Sequence, residues 1–376
     1  MQSIGELNHK LIKKVLYFVI LLLAAISCKD GISNEKKTVV EIKGVQFLIN
    51  GNPTYEGRSW QGFRVEGLLM NSRMVQGLFD DQNPETAVKW KYPDTGEWDP
   101  DRNKDEFVAA MEDWQAHGLL SFTINLQGGS PMGYGNKGWQ NSAFNAQGAP
   151  REAYFERLSR ILSKADELGM VPILGIFYFG QDQYLEGDDA IYAAIDYTME
   201  WLFDSGYRNI LIEVNNECNI KAWDHEILRD PHVHALISYV RLKEKNGYSF
   251  LAGTSYGGGA IPSPEVVEAS DFILIHGNGV SEPERITEMV RQVRALPTYT
   301  TKPILFNEDD HYDFDQPMNN MVAAVQAYAS WGFFDFRRDG EEFNEGYQSV
   351  PVDWQISSER KKGFFNLVKE ITGGNP

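Results

Sequence analysis

At 376 residues, with no Pro/Ser-rich tract, low-complexity segment or internal repeat beyond an alternation of apolar runs and helical patterns, the chain excludes a repeat array or a string of linked domains. Its 53 acidic against 35 basic side chains give a formal charge of −18, which argues against nucleic acid or anionic polymers as ligands, because phosphate binding needs clustered Lys and Arg. The two cysteines, Cys28 and Cys218, leave no disulfide if Cys28 is modified, so the fold must stand on its core.

In chain order, Lys10, Lys13 and Lys14 precede the apolar run VLYFVILLLAAIS, which is short for a spanning helix and reads as an export signal over residues 1–27. Ala25-Ile26-Ser27-Cys28 resembles a bacterial lipobox, with Cys28 as the lipidated first residue of an exported, outer-membrane lipoprotein and residues 28–38 as its tether. The common Leu is replaced by Ala25. Residues 39–376 then read as one domain. VVEIKGVQFLINGNPTY, with turn signals at Asn50, Gly51 and Asn52, is expected to form a short hairpin under the domain. Strands are predicted at residues 74–81, 119–127, 170–179, 209–217, 249–256, 271–278, 303–310 and 330–336. Amphipathic helices are predicted between them, for example at 107–117, 154–168, 190–203 and 283–296. Eight strands alternating with helices specify an α/β fold, a (β/α)8 TIM barrel, whose site lies at the C-terminal strand ends.

Two of those strands end in Asn-Glu: NILIEVNNE at Glu217 and PILFNE at Glu308. A carboxylate that follows a run of Ile, Leu, Val and Phe sits where a buried strand emerges, and such burial separates the pKa values of two catalytic acids. The pair points to hydrolysis of sugar bonds. Strict alternation aims Ile304, Phe306 and Glu308 into the barrel, and likewise Leu211, Glu213, Asn215 and Glu217, with Asn216 outward unless the strand end is distorted. On the sixth strand it aims Phe272, Leu274 and His276 inward.

These residues resemble the retaining glycoside hydrolases of clan A, cellulase-like barrels with an acid/base Glu after strand four and a nucleophile Glu after strand seven. The resemblance extends from FLINGNPTY to the last helix, and implies Glu217 as acid/base, preceded by Asn216, and Glu308 as nucleophile. It implies a double displacement on a β-linked polysaccharide or oligosaccharide, with Asn216 on the sugar 2-hydroxyl. His276-Gly277-Asn278 departs from the His-x-Tyr of the common cellulase pattern. His276 is a candidate for orienting Glu308 or a hydroxyl, or is a hydrogen-bonded barrel histidine. Asn125, Gln127, Tyr178 and Gln181 end strands two and three and suit hydroxyl recognition or the bonding of loop backbone. Trp331 is expected as a sugar platform. No cofactor is implied, and neither Glu308-Asp309-Asp310-His311 nor His232-Val233-His234 has the spacing of a zinc or EF-hand motif. The competing readings are a surface glycan-binding protein on the same scaffold, for which two such carboxylates have no use, and a transglycosylase.

Overall fold

The structure, a computed structural model, describes residues 36–134 and 138–374. The export signal and Cys28 lie outside the described residues. The unit that begins at Lys37 is built on eight strands: β1 (Asn71–Ser72), β2 (Ser121–Asn125), β3 (Val171–Phe177), β4 (Leu211–Asn215), β5 (Leu251–Gly253), β6 (Ile273–His276), β7 (Ile304–Asp309) and β8 (Ser330–Phe333). Each is followed by a helix: α1 (Pro100–Ala116), α2 (Glu152–Leu168), α3 (Gly187–Ser205), α4 (His234–Arg241), α5 (Pro264–Ala269), α6 (Pro283–Arg294), α7 (Asn320–Gln326) and α8 (Glu359–Thr372).

Parallel hydrogen bonding joins the strands into two ladders, β5-β4-β3-β2 and β6-β7-β8-β1. The ladders meet at two seams. Between β1 and β2, Met74 N–H donates to Thr123 O at 2.9 Å and Ser121 N–H to Met70 O at 3.1 Å. Between β5 and β6, Asp271 N–H donates to Ala252 O at 2.9 Å while its Oδ2 accepts from Ala252 N–H at 3.0 Å. The sheet therefore closes into a (β/α)8 barrel.

The expected hairpin is a three-stranded antiparallel sheet, Val40–Lys43, Gln46–Ile49 and Asn52–Pro53, that turns at Asn50 and Gly51, both with positive φ. Its Val40 and Phe47 join Leu69, Val171, Ile173, Leu211, Phe272, Leu274 and Leu305 in one buried cluster at the strand starts. That cluster plugs the N-terminal end of the barrel.

Helix ends follow local signals. Asp99 caps α1 by accepting from Asp101 and Arg102 N–H ahead of Pro100, and α2 stops at Gly169 in the left-handed conformation. No helix among the described residues is long and apolar enough to cross a membrane.

Two sequence expectations need correction here. The first strand is not at 74–81: β1 is Asn71–Ser72, and Val75–Leu78 is a 3-10 turn whose Gly77 packs against the Phe107 ring. Alternation on β7 is also reversed. Leu305 belongs to the interior plug, whereas Ile304 and Phe306 pack in the helix layer.

Candidate active site

The reversal on β7 is what shapes the site. Against β6 the register steps from Phe306 to Glu308, and against β8 it shifts between Phe306 and Asp309, so Asn307 has no partner and forms a bulge. Asn307 turns into the barrel and its Nδ2 donates to Glu213 Oε1 at 3.3 Å. The extra residue carries Glu308 to the mouth, where Oε1 accepts from Asn278 Nδ2 at 2.6 Å and Oε2 lies 3.1 Å from Arg73 Nε. Asp309 then faces the helix layer, bonded to Trp331 Nε1 and Asn320 Nδ2.

The end of β4 is also distorted. Asn215, expected inside, points outward: Thr254 Oγ1 donates to its Oδ1 at 2.6 Å, and its Nδ2 donates to Leu228 O at 2.7 Å. Asn216 consequently falls on the mouth side, with its Oδ1 buried and unpartnered. Glu217 adopts φ 55°, in the left-handed region. Ser255 Oγ accepts from its N–H at 2.9 Å, and Trp223 Nε1 donates to its carbonyl at 3.1 Å. On β6 the alternation is regular, with Phe272 and Leu274 in the plug. His276 sits above them with Nδ1 2.9 Å from Glu217 Oε1 and 3.7 Å from Glu308 Oε2. One oxygen of each carboxylate and a ring nitrogen of His276 all lie within 4.8 Å of one another.

Burial raises Glu308 above the usual carboxylate pKa, opposed by Arg73 and His276 and reinforced by the charge of Glu217. Burial works against a charge on His276, yet the Glu308 charge and the hydrogen bond to Glu217 outweigh it and hold the imidazole above its usual value. The Arg73 guanidinium, also buried, gains more from Glu308 and the other anions around it than it loses to desolvation, and lies 5.8 Å from the Tyr178 ring centroid. The site is thus a compact, buried cluster of charged and hydrogen-bonding side chains, with Glu217 its most exposed carboxyl at 13%.

No family model matches this chain, and no curated protein matches it in sequence. Solved structures do. An endo-1,4-beta-mannanase from Rhizomucor miehei matches over 89% of this chain and 99% of its own at 12% identity, with a TM-score of 0.54. A glycoside hydrolase family 5 structure from Bacteroides vulgatus matches over 89% and 70% at 16% identity, TM-score 0.52. A GH5-4 broad specificity endoglucanase from Bacteroides salanitronis matches over 81% and 93% at 11% identity, TM-score 0.52. What this chain shares with them is the barrel fold.

Of the residues singled out in the sequence, the structure brings Glu217, Glu308, His276, Asn216 and Tyr178 to the mouth. Others go elsewhere. Asn125 pairs in register with Gly175, which pairs with Glu213, and so lies inside the barrel with both amide atoms buried and unpartnered. Gln127 is wholly buried, bonded through Nε2 to Ser142 Oγ and through Oε1 to Tyr178 N–H, and Gln181 accepts from Asn141 N–H and donates to Trp139 O. Both hold the loops after β2 and β3 together, because amides on short buried turns are captured by backbone. Trp331 is no platform: it is fully buried, faces the helix layer, bonds Asp309 and packs on Phe314 and the Phe364 ring of α8. Its neighbour Ser330 takes the inward side, accepting from Leu69 N–H.

Sequence reasoning passed over Arg73 and Asn278. Asn278 stands two residues beyond His276, where a strand-end amide was visible; Arg73 was hidden because the predicted first strand starts at 74, three residues after Asn71. Two groups among the described residues have metal-ligand spacing, Glu217–His276–Glu308 and Asp309–Asp310–His311. A cation in the first would meet the Arg73 guanidinium, and in the second the Asp309 oxygens already accept from Trp331, Asn320 and His311.

Proposed function

We propose that the protein is a retaining glycoside hydrolase that cleaves β-linked polysaccharide or oligosaccharide. The observation that carries this reading is the approach of the Glu217 and Glu308 oxygens to within 4.8 Å at the barrel mouth. Retaining enzymes hold their carboxyl groups about 5 to 5.5 Å apart, whereas inverting ones leave about 6.5 to 9.5 Å for a water. The mannanase and the endoglucanase among the structural neighbours support a β-linked glycan as substrate class.

In this mechanism Glu308, held as a carboxylate by Arg73 and Asn278, attacks the anomeric carbon and expels the leaving oxygen. Glu217 receives the His276 Nδ1–H on one oxygen and gives a proton to the leaving group from the other. In the second step Glu217 takes a proton from water, which displaces Glu308 and restores the sugar configuration. Asn216 Oδ1, buried without a partner, accepts the 2-hydroxyl.

A panel of β-linked polysaccharides and aryl glycosides identifies the substrate. A 2-fluoro glycoside of the matching sugar should then esterify Glu308, read by peptide mass spectrometry. A label on another residue, or a product of inverted configuration, overturns the mechanism.

The export signal over residues 1–27, the tether 28–38 and acylation of Cys28 complete the proposal, placing the enzyme on a bacterial membrane surface as a lipoprotein. Radiolabelled fatty acid should enter the wild type and not Cys28→Ala, with hydrolysis unchanged in both.

A further inference from the structure

The loop after β2 runs from Gly128 to Tyr134 over the segments that follow β1 and β8, and it takes no part in the bond-breaking steps. Its path is fixed from below. Gln76 Nε2 donates to Ser130 O at 2.8 Å, Val350 N–H donates to Pro131 O at 2.9 Å, and Met132 pairs with Ser349 in an antiparallel bridge. Gly133 then lies against the Phe336 ring, where a Cβ would fall 2.5 Å from Cδ2, so glycine, at φ 91°, is what lets the next residue reach that ring. That residue is Tyr134.

Tyr134 is held on three sides. Its ring centroid lies 5.4 Å from that of Phe334 and 5.2 Å from that of Phe336, both edge to face, and its hydroxyl donates to Asp310 Oδ2. Asp310 stands two residues beyond Glu308, and its Oδ1 accepts from the N–H of Gly279, whose neighbour Asn278 bonds Glu308. The ring therefore stands at the rim of the mouth, on the side of Glu308. Phe334 beneath it is buried, yet Tyr134 remains 54% exposed. An apolar surface left open to water while two rings and a hydrogen bond fix its orientation has already lost its conformational freedom and still has burial to gain, so a flat apolar partner binds it at little entropic cost. The apolar face of a pyranose is such a partner.

Strand order decides which sugar it meets. In the closed barrel β8 stands opposite β4, with three strands between them in either direction. Glu217, the proton donor to the leaving group in the proposed mechanism, follows β4, whereas Tyr134 rests on two phenylalanines that follow β8. A glycan whose leaving end lies toward Glu217 extends its other end toward Tyr134. We propose that Tyr134 is a specificity-determining residue, the stacking platform of a subsite for a sugar on the non-reducing side of the scissile bond, which favours oligosaccharides over single glycosides. The proposal rests on the hydrolase reading for its direction, and on binding alone for the platform.

Calorimetric titration tests the platform, using the β-1,4-linked hexaoses of glucose, mannose and xylose and the β-1,3-linked hexaose of glucose on the chain carrying Glu308→Gln, so that no ligand is consumed. Adding Tyr134→Ala should raise the Kd of whichever hexaose binds tightest by about tenfold, the loss of one stacked ring. Tyr134→Phe, which keeps the ring and gives up the bond to Asp310, should stay within about twofold. Unchanged affinity in the alanine variant, an equal loss in both variants, or no binding of any of these hexaoses overturns the platform. Cleavage by the chain with Glu308 intact gives the side. With a hexaose labelled by oxygen-18 at its reducing end, Tyr134→Ala should move cleavage toward the non-reducing end, because binding modes that fill the lost subsite are no longer favoured. An unmoved pattern, or a shift toward the reducing end, overturns the placement on the non-reducing side. Binding without any cleavage would count against the hydrolase reading and leave the platform standing.

Discussion

Glu217, the acid/base of the proposed mechanism, carries a backbone penalty as well. A non-glycine residue in the left-handed region costs about 1 kcal/mol, and such strain collects at functional sites. Glu217→Ala and Glu217→Gly both remove the acid, so each should keep turnover of substrates with good leaving groups and yield a β-glycosyl azide when azide is added. They should differ in stability. The glycine variant is expected to be more stable than the alanine variant by about 1 kcal/mol, measured by urea denaturation, because only glycine adopts φ 55° freely. Equal midpoints would mean that the strain is not there. Glu308 makes the complementary case for pH. Its pKa lies above 4.5 because it is buried, so kcat/KM should fall on the acid side with a midpoint above that value. The sign for stability is opposite. A group with a raised folded pKa stabilises fully below its unfolded pKa and loses that contribution as pH rises through the folded one. The gain in thermal midpoint of Glu308→Gln over wild type should accordingly grow with pH across the same window, and a flat difference would contradict the burial argument.

At the level of elements, β7 shows why part of the site was legible and part was not. Strand identity could be read because Ile304, Leu305 and Phe306 form a continuous apolar run. The same run conceals which face is which: a parallel strand buried on both sides has no polar residue to fix its parity. Alternation placed Leu305 outside and Glu308 inside. Leu305 is in fact inside, and the Asn307 bulge reverses the order again, so Glu308 reaches the mouth for a different reason from the one the pattern suggests. On β4 the same kind of distortion exchanged Asn215 and Asn216. β1 was missed because two polar residues, Asn71 and Ser72, carry less signal than the apolar turn after them. Trp331 failed for a simpler reason, since a ring at a strand start looks alike whichever face it takes. Trp331→Phe should lower stability by about 2 kcal/mol through lost volume and the lost bond to Asp309, while KM for an oligosaccharide stays within about twofold of wild type. A large rise in KM with unchanged stability would restore the platform.

Across the whole molecule, the two ladders divide the proposed catalytic pair. Glu217 belongs to β5-β4-β3-β2 and Glu308 to β6-β7-β8-β1. Within the strands the β5–β6 seam is held by one backbone bond and one side-chain bond of Asp271, joined beyond β5 by Gly259 N–H donating to His276 O. Opening it by a few ångströms would separate the carboxylates beyond a retaining distance while each ladder stays intact. Turnover should therefore be lost on heating several degrees before the far-ultraviolet circular dichroism changes, and coincident transitions would show that the seam is no weaker than the rest.

That division also orders events on the ribosome. The ladder bearing Glu308 takes its strands from both extremes of the barrel, because β8 is the bridge between β7 and β1. Arg73 is synthesised early and waits, unpaired, until Ser330–Phe333 has emerged to seat it beside Glu308. The ladder bearing Glu217 can be complete while the one bearing Glu308 is still unfinished. A nascent chain halted before β8 would hold both carboxylates without the strand that seats Arg73 beside Glu308.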